Sequence, residues 1–187
     1  NSYPLESSRV QFAHAAGLTG QGQIIGFLDS GFDPTHPDFA SKTIYSAENL
    51  ATLPVDAHGT MVVGVAAADG TGSMIGIAPN ADILLGSFDS QAQMADAINL
   101  ARSIGAVAIN NSWGYTNLNA TQPGYDSAFG GNGGATYLQA LRSYAAEGVV
   151  VFALRNDENL TRAGIMDGLP VLEPQLESGW IAVGNAV

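Results

Sequence analysis

Cysteine is absent from the 187 residues, which excludes disulfides and thiolate metal centres and leaves the redox compartment unread. Basic residues are scarce, 6 Lys+Arg against 17 Asp+Glu, for a formal net charge of -11. Nucleic acid and an anionic membrane surface both call for a basic patch, so neither is expected as a partner. Charged residues make up only 12% while apolar residues reach 46%, the opposite balance to a disordered acidic tail. No apolar run approaches the roughly 20 residues of a membrane-spanning helix, so no direct membrane insertion is expected. No stretch has the form of a signal peptide either; on an exported protein the leader would already be gone. What is plentiful is glycine, 23 residues, a loose compositional association with secreted bacterial proteins. The length suits a single domain, residues 1–187, with a sizeable core.

The most informative stretch is 23–33. Ile24, Ile25, Phe27 and Leu28 make a short, nearly unbroken apolar run, as in a strand buried on both faces of a parallel sheet. The run ends on Asp29, and Ser30-Gly31 turns the chain. A carboxylate at the carboxyl end of such a strand stands where open α/β sheets place ligand sites, and burying it requires a partner. An isolated Asp-Ser-Gly would equally describe a turn cap. Before it, residues 9–17 predict a short helix with His14 at its surface. The glycines of 17–22 do not form a dinucleotide loop, because Ile25 stands where the third glycine is needed and they precede the strand.

After a proline-rich loop at 33–39, whose Asp and His residues suit a rigid turn better than a metal site, comes Asp56-Ala-His58-Gly-Thr60. The apolar run 61–68 predicts a helix buried nearly all round, with His58 at its amino end. Further strands are predicted at 81–87, 106–111, 149–154 and 180–183, and amphipathic helices at 91–103 and around 137–145. A Gly-, Asn- and Thr-rich loop is expected to run to Gly134 and an irregular stretch to fill 155–179. Strands alternating with helices predict a doubly wound, three-layer α/β/α fold on a mainly parallel sheet.

Asp29-Ser-Gly31, His58-Gly-Thr60 and Asn111-Ser-Trp-Gly114, in this order and spacing, resemble the subtilisin-like serine peptidases, the subtilases of peptidase family S8. The resemblance runs from about Gly20 to the end of the chain, and the Gly-rich loop and the helix before the fourth predicted strand are similar to bacterial secreted and autotransporter members. It implies a serine endopeptidase acting on polypeptides, secreted or at the cell surface. A serine hydroxyl needs an adjacent base, histidine suits that task, and a buried carboxylate fixes the ring. By resemblance Asp29 orients the ring, His58 is the general base and acid, and Asn156 binds the oxyanion. At Asn156 the family's Ala-Ala-Gly-Asn is replaced by Ala153-Leu154-Arg155-Asn156. Ser112, Trp113 and Gly114 would be the segment pairing with substrate backbone, although Trp113 also reads as a core aromatic. No cofactor is needed for the chemistry; a structural calcium is implied without assignable ligands, near Asp69 or the 33–38 loop.

The nucleophile is missing. The family carries it in Gly-Thr-Ser-Met-Ala at a helix start beyond the oxyanion asparagine, and after Asn156 this chain has only Ser178. Gly70-Thr-Gly-Ser73-Met74 has an extra glycine and lies before the substrate segment, so Ser73 is not expected in the role. The expectation is therefore a peptidase domain incomplete at its carboxyl end, inactive alone, whose serine lies outside the chain. An apolar groove would then be left for one more central helix. The alternative is a non-cleaving, subtilase-like module that binds peptides or a protein partner.

Overall fold

A computed structural model describes residues 8–154 and 162–184. Six strands, β1 (Ile24–Asp29), β2 (Ile44–Tyr45), β3 (Asp82–Ser87), β4 (Ala108–Asn111), β5 (Val149–Ala153) and β6 (Trp180–Val183), form one sheet. All neighbouring pairs are parallel, in the order β2-β3-β1-β4-β5-β6. The helices are α1 (Val10–Ala15), α2 (Ala57–Ala67), α3 (Gln91–Ser103), α4 (Gln122–Phe129) and α5 (Gly134–Ala145). Strand order departs in both directions from β1, so the carboxyl end of β1 is the switch point at which such sheets open a crevice.

The register sorts the side chains onto two faces. Leu84, Ile109, Val150 and Phe152 point to one face, where α3 and α5 cover them with Met94, Ile98, Tyr137, Leu141 and Tyr144 in the larger core cluster. The Ser90 side chain caps α3 by accepting from the Gln93 amide, and the Tyr144 hydroxyl donates to the Ala106 carbonyl at 2.6 Å. The opposite face carries Phe27, Ile83 and Leu85, which pack on Val63 and Ala67 of α2 in a second cluster.

Among the described residues this opposite face is only half covered. Beyond α2, Ala108, Asn110 and Val151 are part-exposed, and Ile181 is 48% exposed. The expectation that α2 is buried nearly all round fails here, since Met61 and Val65 are 57% and 54% exposed. They turn into an apolar groove of about 390 Å³ shared with Ile25, Phe27, Ile77 and Val151. A wholly apolar helix sequence fixes which residues seek cover, not whether the covering element lies within the same segment.

Other differences are local. The 115–133 connection contains α4, started by Thr121 accepting from the Gly124 amide and by a proline in the first turn. The 155–179 stretch, where described, holds short 3-10 turns at Leu169–Val171 and Pro174–Gly179. The two-residue β2 is too short to show any alternation.

Candidate active site

The site is built where β1 ends. The turn after Asp29 is tied to the start of α2 by two bonds, Phe32 N–H to the Pro54 carbonyl at 2.7 Å and Asp33 N–H to Thr60 Oγ1 at 2.8 Å. Asp56 caps α2 by accepting from the His58 amide at 2.6 Å, so His58 sits one residue inside the helix and is not itself the cap. Gly59 allows the helix end to approach, because a β-carbon there would stand 2.1 Å from the Gly31 carbonyl oxygen and 3.0 Å from Asp29 Cβ. Gly31 is equally constrained, its missing β-carbon falling 2.2 Å from the Pro54 carbonyl oxygen.

This packing brings the two residues together. His58 Nδ1 lies 2.8 Å from Asp29 Oδ1. A carboxylate only accepts, so Nδ1 carries the proton and Nε2 is left as the ring's basic, acceptor nitrogen. The Asp29 side chain is 2% exposed and that of His58 49%, an anchored carboxylate holding a ring that is half open to solvent. Asp29 Oδ1 also accepts from the Ser30 amide at 2.8 Å and the Ser30 hydroxyl at 3.1 Å. Asp29 Oδ2 is buried with no partner among the described residues, leaving it able to accept one more donor.

Ser112, Trp113 and Gly114 continue past the end of β4, which lies beside β1 with Asn111 opposite Leu28. Asn111 is buried and donates to the Val151 carbonyl at 3.1 Å, fixing the base of the segment. Among the described residues, no main-chain group of 112–114 bonds to another backbone segment. Ser112 lines the apolar groove, and its hydroxyl accepts from the Asn110 side-chain amide at 3.0 Å. Trp113 packs its ring 5.3 Å from both Phe88 and Phe152 and 5.9 Å from Tyr115, so it is a core aromatic that also walls a surface pocket. Asn156 lies outside the described residues. Ser73 makes no bond to His58 among the described residues; its amide donates to Asp38 instead.

The carboxylates near the expected calcium positions do not fit a cation. Asp38 Oδ1 accepts the backbone amides of Gly72, Ser73 and Met74 at 2.8, 2.9 and 3.3 Å, so hydrogen-bond donors point where a metal would have to be. Asp69 takes Ser41 and Thr71 in the same way; burial raises its pKa, but these hydrogen bonds outweigh that and hold it far below the usual carboxylate range. Asp33 is lowered as well, mainly by the Thr35 hydroxyl. Among the described residues no group of three or more His, Asp or Glu is arranged to hold a metal, and no step below involves one.

Sequence reasoning did not single out Tyr115 or Asp167, which share a narrow pocket with Trp113 and Gly114. The available signal was one acid in an otherwise apolar and glycine run, Gly164-Ile-Met-Asp167-Gly.

Comparison with known proteins gives the family. A family profile described as the subtilase family, Peptidase_S8, matches residues 20–187. An extracellular serine protease of Serratia marcescens is 36% identical over 120 residues, 59% of this chain and 11% of that protein. Subtilisin Savinase of Lederbergia lenta is 31% identical over 157 residues, 81% of this chain and 55% of that protein. Among solved structures, the patellamide maturation protease PatG superposes with a TM-score of 0.67 at 19% identity, covering 98% of this chain and 63% of that one. The chain thus spans between about a tenth and about half of the length of these curated relatives.

Proposed function

The chain belongs to the subtilase family, and from that premise we propose that it is the Asp- and His-bearing portion of a serine endopeptidase whose nucleophilic serine lies outside residues 1–187. The observation that carries this reading is the 2.8 Å bond from His58 Nδ1 to buried Asp29, with the ring half open to solvent.

In this reading His58 Nε2 takes the proton of an incoming serine hydroxyl and later returns it to the leaving amine, while Asp29 holds the tautomer and stabilises the imidazolium. Substrate backbone pairs with the main-chain groups of 112–114, which make no backbone bond to another segment among the described residues, adding a strand as peptides do on sheets. Asn156 supplies an amide to the oxyanion. The half-bare sheet face supports a serine brought from elsewhere, since an apolar groove lined by Met61, Val65 and Ser112 favours an apolar helix laid against it. The extracellular relatives support secretion or display at the cell surface.

In the full-length protein, His58→Ala should reduce peptide hydrolysis to background, and unchanged turnover in that variant would overturn the assignment. A fluorophosphonate probe should label a serine outside residues 1–187. A second reading, a binding module that does not cleave, is favoured by the same 112–114 backbone, unpaired among the described residues; it predicts peptide bound, recovered intact, and no labelled serine.

A further inference from the structure

Beyond His58, Thr60 is the one polar side chain of α2, in a run otherwise made of glycine, methionine, valine and alanine. Propensity disfavours a β-branched hydroxyl residue inside a helix, so its place there rests on the bonds it makes. The first is a common local one, Thr60 Oγ1 donating to the Asp56 carbonyl one turn earlier at 2.7 Å. The second is not local. The same oxygen accepts the Asp33 N–H at 2.8 Å, from the turn after β1 and 27 positions earlier in the chain. One part-buried oxygen thus ties the helix that carries His58 to the turn that carries Asp29.

The bonds around that oxygen close a ring. The Asp33 amide donates to Thr60, the Thr60 hydroxyl donates to Asp56, the Asp56 side chain accepts from the His58 amide at 2.6 Å, and His58 Nδ1 returns to Asp29 at 2.8 Å. With its proton committed to Asp56, Thr60 Oγ1 can only accept from Asp33, so each bond has one direction. Bonds linked in this way stand or shift together. Among the described residues, Thr60 makes the one side-chain bond between this turn and α2 apart from the Asp29–His58 pair itself. We propose that Thr60 is a positioning residue, its hydroxyl seating α2 on the β1 turn and so holding the His58 ring at bonding distance from Asp29. This rests on the endopeptidase reading above and adds to it a residue that touches neither the substrate nor the reacting atoms. The Phe32 amide on the Pro54 carbonyl and the close approach of Gly59 to Gly31 hold the same seam, so losing the hydroxyl loosens the pair without separating the two elements.

The test compares two variants of the full-length protein: Thr60→Val, which keeps the shape and removes the hydroxyl, and Thr60→Ser, which keeps the hydroxyl. Thr60→Val should lower kcat on a peptide substrate about 10- to 100-fold with KM within about twofold, the pattern of a misplaced base rather than a lost binding contact. Thr60→Ser should stay within about threefold of the native kcat. Proton NMR reads the pair directly: the downfield resonance of the His58 Nδ1 proton should be present in the native protein and in Thr60→Ser and lost to exchange in Thr60→Val. If Thr60→Val does not fold, Thr60→Ala takes its place against the same Thr60→Ser reference. A hydroxyl-free variant with native kcat, a rise in KM at unchanged kcat, or Thr60→Ser as slow as Thr60→Val would overturn the proposal. If the native protein cuts no peptide, the endopeptidase reading fails by itself, and the resonance still decides the positioning role. Its loss in Thr60→Val with retention in Thr60→Ser supports that role; its absence from the native protein, or its persistence in Thr60→Val, refutes it.

Discussion

Gly59 and Gly31 meet where any side chain would forbid it: a β-carbon on Gly59 would lie 2.1 Å from the Gly31 carbonyl oxygen. That close approach lets the amino end of α2 come near enough for His58 to bond Asp29. Gly59→Ala should push the amino end of α2 off the β1 turn. Overpacking of this kind costs about 1–3 kcal/mol, and a shift near 1 Å at a reacting group costs about 10²-fold in rate. Thermal unfolding and peptide hydrolysis of the full-length variant should both fall; full retention of rate would show that the contact does not position the base.

Asp29→Asn keeps the shape but replaces an acceptor with a group that can also donate to Nδ1, stabilising the wrong ring tautomer. The expected loss in kcat is about 10⁴-fold, the order established for such triads, with KM little changed. A KM effect with intact kcat would make Asp29 structural only.

Part of the acid sensitivity should trace to Glu173, which holds α5 to the segment that leads into β6. Burial raises its pKa, but hydrogen bonds from Arg142 and Tyr125, with the charge of Arg142, outweigh that and hold it below the usual carboxylate range. Arg142 approaches at 3.0 Å through Nε and 2.6 Å through Nη2; Tyr125 and Gln175 donate as well. A carboxylate lowered on folding contributes stability above its unfolded pKa of about 4.3, and that contribution is lost as pH falls through the folded value. Urea midpoints should therefore drop below about pH 4. Glu173→Gln should flatten that drop and cost about 1–3 kcal/mol at pH 7, the lower end being favoured by the one-third exposure of Arg142.

The bare sheet face gives a chemical readout. In the full-length protein, with the groove covered, Met61 should be oxidised by peroxide about as slowly as buried Met94, as read by peptide mass spectrometry. Fast oxidation of Met61 alone would show the groove open and remove the support it gives to a serine-bearing helix.

The sequence made the frame legible because its strands are nearly continuous in apolar residues, on the open face of the sheet as on the covered one. β1 and β6 appear with the predicted ends, and Asp29 and His58 stand out as a strand end and a helix start. α4 escaped because its eight residues hold Pro, Gly and Gln, and it is stabilised by a Thr121 cap and contacts of Ala128 and Phe129 rather than by a periodic face. Met61 and Val65 are exposed where the apolar run predicts burial, because composition reports a preference and not a partner.

Asp29 and His58 are separated by 29 positions, and the strands flanking β1 are complete by Asn111. Both partners of that bond and the strands beside them therefore lie within the first 111 positions, while much of the core that supports the sheet, from Tyr137 to Leu176, is contributed by later residues.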